Sequence, residues 1–111
     1  MHKRHFKCLL IAIYFFCQFS FAQSWKSLNG PIGADISASM ITKDEGNIFV
    51  FTSTERAFIS EDKGKTWTEY SNGIQKVNYR YKSAIKESPT GEIFLAYNEN
   101  LYKFNNSNNT W

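Results

Sequence analysis

The chain has 111 residues, 17% of them aromatic and 21% charged, with a formal net charge of +3. Both cysteines, Cys8 and Cys17, and both histidines, His2 and His5, lie within the first 22 positions. Beyond that point neither type occurs. This excludes disulfides there, cysteine or histidine nucleophile chemistry, a Ser-His-Asp triad and the usual zinc sites, so any catalysis has to use Asp, Glu, Tyr, Lys or Arg.

Residues 1–22 read as a secretory signal peptide. His2, Lys3, Arg4, His5 and Lys7 form a basic start, residues 8–16 are an uncharged apolar run, and Ser20-Phe21-Ala22 puts small residues where a signal peptidase reads. Cleavage is expected before Gln23. A membrane anchor would need about 20 uninterrupted apolar residues, and Gln18 and Ser20 break this run early. Of the 13 basic and 10 acidic residues, Lys3, Arg4 and Lys7 leave with the leader, so the exported chain carries 10 of each sign. Such a balance argues for neither nucleic acid nor an anionic membrane as partner. The expected location is periplasmic, cell-surface or extracellular, and leader and composition have a bacterial look.

Residues 25–28 read as a lone outer strand. A first four-stranded unit follows over residues 36–70, with strands expected at 36–42, 47–53, 56–60 and 66–70. Asp44-Glu45-Gly46-Asn47 is a turn. Between the third and fourth strands stands Ser60-Glu61-Asp62-Lys63-Gly64-Lys65-Thr66-Trp67. Asp62 can fold its carboxylate onto nearby backbone N–H groups, and Ser60 can bond within the same turn. Gly64 supplies a positive φ at little cost. Thr66 and Trp67 suit the restart of a half-buried strand.

A second, incomplete unit spans residues 81–111, with strands expected at 81–86, 92–97 and 101–104 and a fourth opening at Thr110-Trp111. Gly46-Asn47-Ile48-Phe49-Val50-Phe51 is echoed by Gly91-Glu92-Ile93-Phe94-Leu95-Ala96, and Ala57-Phe58-Ile59-Ser60 by Leu101-Tyr102-Lys103-Phe104. Asn106, Asn108, Thr110 and Trp111 take the places of Asp62, Gly64, Thr66 and Trp67. Tryptophans at 25, 67 and 111 are spaced by 42 and 44 residues, a period that suits four-stranded propeller blades.

The pattern S-x-D-x-G-x-T-W, carried by Ser60, Asp62, Gly64, Thr66 and Trp67, resembles the Asp-box, or BNR, repeat of sialidases, xyloglucanase-type hydrolases, sortilin-type receptors and photosystem II assembly factors. Asn106, Asn108, Thr110 and Trp111 resemble a degenerate copy. The resemblance implies an all-β fold of four-stranded antiparallel propeller blades, about two of them present in an incomplete ring, with the box as a structural turn away from the ligand face. Propellers have four to eight blades, so further blades are expected from a longer chain or from oligomerisation.

By the same resemblance, ligands would bind at the opposite end, where Asp35, Glu55, Arg56, Tyr79, Arg80, Asn98 and Glu99 are the polar and aromatic candidates. A sialidase would need three arginines for the substrate carboxylate, a tyrosine nucleophile with its glutamate, and an acid aspartate. Beyond the leader the chain has Arg56 and Arg80. A xyloglucanase-like hydrolase would need two separated carboxylates across the channel, and Asp35 has no nameable partner. No catalytic set is recognisable. The expectation is a secreted, non-catalytic propeller segment for binding or scaffolding, toward an unknown protein or glycan. A piece of a secreted glycoside hydrolase is the alternative. No cofactor and no metal is expected.

Overall fold

The computed structural model describes residues 24–31, 35–78 and 82–111. The leader, Tyr79, Arg80 and the expected start of a strand at residue 81 lie outside the described residues. Those residues form an all-β structure of two antiparallel sheets, without a helix among them. The first sheet runs in the order β1 (Ile36–Ile41), β2 (Ile48–Thr52), β3 (Ala57–Ser60), β4 (Thr68–Glu69); the second in the order β5 (Ser83–Glu87), β6 (Ile93–Tyr97), β7 (Asn100–Lys103). Every strand pairs with its sequence neighbour, so each sheet is a meander built from tight turns.

The burial pattern follows from the alternation of side chains along a strand. On β2, Phe49 and Phe51 face one way, opposite Ile59 and Ala57 of β3, while Val50 faces the other way, opposite Phe58. All six side chains are buried. A central strand apolar on both faces needs a cover on each side. The cover on one side is the second sheet: Phe49, Phe51, Ala57 and Ile59 form one core with Ile85, Ile93, Leu95, Tyr97 and Phe104, closed at its edge by Ile74. Aromatic rings meet edge-on or tilted along this seam, with Phe49 and Phe104 centroids 5.7 Å apart and Phe51 and Tyr97 5.0 Å apart, the arrangement that ring quadrupoles favour. β1 and β5 lie side by side. Ser37 Oγ and Ser83 Oγ are 2.8 Å apart at one end, and the Lys43 N–H donates to Glu87 Oε2 at 2.8 Å at the other.

The meander gives each sheet two ends. One carries the β1–β2, β3–β4 and β5–β6 connections together with residues 105–110. The other carries the β2–β3 and β6–β7 connections, and Asp35 joins it because the Ser53 N–H donates to the Asp35 carbonyl at 2.8 Å.

Strand bounds depart from the sequence expectation for local reasons. β4 is two residues long rather than five, because the Thr66 N–H turns back to Asp62 instead of pairing across the ladder. Residues 25–28, expected as a lone strand, carry no strand. Near residue 110 an isolated bridge between Asn105 and Thr110 closes the last turn, and no fourth strand of the second sheet opens among the described residues. The two sheets do not close a ring.

Leu95 has no exposed surface and Leu101 is 71% exposed on the outward face of the same sheet. Leu95→Ala should therefore cost about 2–5 kcal/mol, whereas Leu101→Ala should lie within about 0.5 kcal/mol of the parent. Urea denaturation of the two variants measures both.

Candidate functional site

At the turn end, the loop from Ser60 to Thr66 is bonded to itself. Ser60 Oγ donates to Asp62 Oδ1 at 2.9 Å and accepts from the Gly64 N–H at 2.8 Å. Asp62 Oδ1 also accepts from the Thr66 N–H at 2.8 Å, and Asp62 Oδ2 from Thr66 Oγ1 at 2.5 Å. Lys63 and Gly64 both hold positive φ. The hydroxyl and N–H of Thr66 stabilise the charged carboxylate, and the Asp62 pKa falls from 3.8 to about 2. This acid acts as a turn anchor with its proton firmly removed.

The second turn of this kind closes differently. Thr110 Oγ1 donates to Asn108 Oδ1 at 2.7 Å and the Ser107 N–H to Asn105 Oδ1 at 2.9 Å, with Asn109 at positive φ. The carboxylate's double role is thus divided between Asn105 and Asn108, and Asn106, in the position that Asp62 holds, is exposed like them. Trp111 lies against Phe104, with ring centroids 5.1 Å apart, and its Nε1 donates to the Tyr70 carbonyl at 2.7 Å.

At the other end the arrangement turns on Glu55. A tight turn, closed by the Thr52 N–H on the Arg56 carbonyl at 2.9 Å and the Glu55 N–H on the Thr52 carbonyl at 3.0 Å, holds Glu55 at φ 64°. That backbone sends its side chain inward, where the residue is 3% exposed. Its carboxylate accepts from the Val77 N–H at 3.0 and 3.1 Å and from Tyr97 Oη at 2.5 Å. A buried carboxylate is tolerated when it is hydrogen-bonded in this way. Glu55 thereby ties the β2–β3 turn to residues 71–78 and to the end of β6.

Arg56, its neighbour, points elsewhere. Its guanidinium pairs with Glu69 of β4 and lies 4.9 Å from the Phe58 ring centroid. The Glu69 hydrogen bond raises the Arg56 pKa, and Arg56 lowers that of Glu69. Asn98 and Glu99 are the two residues between β6 and β7, both at positive φ (48° and 60°). This is the hairpin turn whose twist matches the strands, and it normally favours Asn-Gly. Asp35 is exposed.

Comparisons with protein-family models, curated proteins and solved structures find no match. The site is therefore defined by its own geometry. Of the sequence candidates, Asp35, Asn98 and Glu99 are at the loop end as accessible side chains, Glu55 is interior, Arg56 is tied to Glu69, and Tyr79 and Arg80 lie outside the described residues. Among the described residues no cluster of His, Cys, Asp and Glu could hold a metal ion. Sequence reasoning missed Tyr97. The signal available was its place in the repeat, where it matches Thr52, at the end of a core-facing strand; a hydroxyl arriving there needs a buried acceptor, and Glu55 is the nearest carboxylate in the preceding hairpin.

Glu55→Ala should destabilise the fold by about 1–3 kcal/mol for each donor left unpaired and Tyr97→Phe by about 1 kcal/mol, with the double variant less than additive; a double-mutant cycle by chemical denaturation reads the coupling. Asp62 has its folded pKa depressed, so its stabilising contribution is present above its ordinary value near 4 and is lost as pH falls toward about 2. Asp62→Asn should lack that part of the acid transition when melting temperature is followed against pH.

Proposed function

We propose that this chain is an exported, non-catalytic propeller segment that serves binding or scaffolding, with a protein or a glycan as ligand. Two meander sheets stacked face to face, their first strands side by side, and a repeat period of 42 to 44 residues support the propeller reading. Further blades come from a longer chain or from several copies. The observation that carries the functional reading is how the loop-end side chains are used. Glu55 is buried and Arg56 is held at the surface by Glu69, and Asp35 and Glu99 are presented to solvent from the same end, with Asn98 half-buried. Glu99 keeps a charged side chain at a backbone position that glycine would fill without strain, and strained residues of this kind cluster at recognition sites.

A glycoside hydrolase segment is the second reading, and the Tyr97–Glu55 pair favours it, since the resemblance to sialidases calls for a tyrosine with its glutamate. Against it, Tyr97 is 3% exposed, so its hydroxyl stands behind the surface a sugar would touch.

The test is a glycan array and a protein-interaction screen with the full chain, followed by Asp35→Ala and Glu99→Gly. On the binding reading these two lower affinity by about tenfold or more, as lost contacts at a recognition centre do, and leave the melting temperature at or above that of the parent. Sugar release from fluorogenic glycosides that disappears in Tyr97→Phe would move the reading to the hydrolase.

A further inference from the structure

A short pattern recurs across the first sheet. Trp67-Thr68-Glu69-Tyr70-Ser71-Asn72-Gly73 is matched upstream by Trp25-Lys26-Ser27-Leu28-Asn29-Gly30, with Ser71 as the extra residue. The downstream copy is docked on the next tryptophan of the series. The Tyr70 carbonyl accepts the Trp111 indole N–H at 2.7 Å and the Asn72 carbonyl accepts the Trp111 backbone N–H at 2.8 Å. Gly73, at φ 94°, is packed so closely that a Cβ there would overlap the Trp111 carbonyl.

The upstream copy lies in the corresponding place beside Trp67. Asn29, Gly30 and Pro31 form one wall of a groove of about 330 Å³, with Phe58, Arg56 and Trp67 on the other. A Leu28 methyl carbon is 2.6 Å from where a Gly64 Cβ would stand. Yet the docking bonds are open. Trp67 Nε1 is buried and has no hydrogen-bond partner. A Cβ at Gly30 would meet nothing within 4 Å, and Trp25 is fully exposed. The Leu28 carbonyl accepts the Gly30 N–H at 2.8 Å and a weaker contact from Ser27 Oγ at 3.3 Å.

We infer that residues 25–30 are a strap that closes on Trp67 as residues 70–73 close on Trp111, with the Leu28 carbonyl accepting the Trp67 indole N–H. A buried donor without an acceptor is unfavourable, and a carbonyl oxygen that exchanges its weak Ser27 contact for the indole still has two lone pairs for two donors. Closure fills the groove over Phe58 and seals that face of the first sheet.

The test is hydrogen exchange of the three tryptophan indole N–H groups in the ¹⁵N-labelled full chain, assigned with Trp25→Phe and Trp67→Phe. A closed strap gives contacts between the Trp67 indole proton and Leu28 or Asn29, and Trp67 protection within about tenfold of Trp111. Gly30→Val, which a closed strap cannot seat, then speeds Trp67 exchange by about tenfold or more while Trp111 is unchanged. Absence of those proton contacts in the unaltered chain, or Trp67 exchange indifferent to Gly30→Val, overturns the inference. The proton contacts are read on the unaltered chain, so a variant that fails to fold does not remove the test.

Discussion

Phe49, Phe51 and Ile59 of one sheet meet Ile93, Leu95 and Tyr97 of the other, and the remainder of the structure depends on this seam. Sheets of three and four short strands are stable only with a hydrophobic face packed. Each sheet becomes stable by covering an apolar face of its neighbour. The seam also sets where the loops go. Because the sheets stack with β1 beside β5, the β2–β3 turn arrives next to the end of β6, and Glu55 comes within reach of Tyr97.

Polar groups fix the two ends of that seam by different means. At the turn end, Asp62 and Ser60 bond residues two to four positions away, so the structure there is held within one short loop. At the loop end, Glu55 reaches across 22 residues to Val77 and 42 to Tyr97. The first device shapes a turn; the second holds separate segments in register. A carboxylate in this second role has its lone pairs directed at protein donors, whereas Asp35 and Glu99 are exposed.

The repeat is imperfect in a way that bears on assembly. Met40 and Ile59 flank Phe49 in the seam, and the equivalent neighbours of Phe94 are Lys86 and Lys103. The outward face of the second sheet is therefore wetter than the face it copies. Lys103 pairs there with Glu92, which lowers the Glu92 pKa, while Leu101 remains largely exposed. Charges on an outward sheet face oppose indiscriminate stacking, so a neighbour on this face has to accommodate two ammonium groups as well as an apolar strip.

The sequence by itself determined what depends on neighbours within a few residues. Short continuous apolar runs marked β2, β3 and β6, and Ser60, Asp62, Gly64 and Thr66 marked a self-bonded turn because every bond in it spans four residues or fewer. It also marked Asn98-Glu99 as a connection, though not its positive-φ geometry, since Glu is an unusual choice there. Only the tertiary structure decided that Glu55 is interior, that Arg56 belongs to Glu69, and that residues 25–28 form no strand while residues 29–31 line a groove with Trp67. The Arg56–Glu69 pair is set by the β3–β4 pairing, whereas the partners of Glu55 across 22 to 42 residues are set by how whole sheets stack. That stacking is a property of summed apolar faces, with no short local motif to announce it.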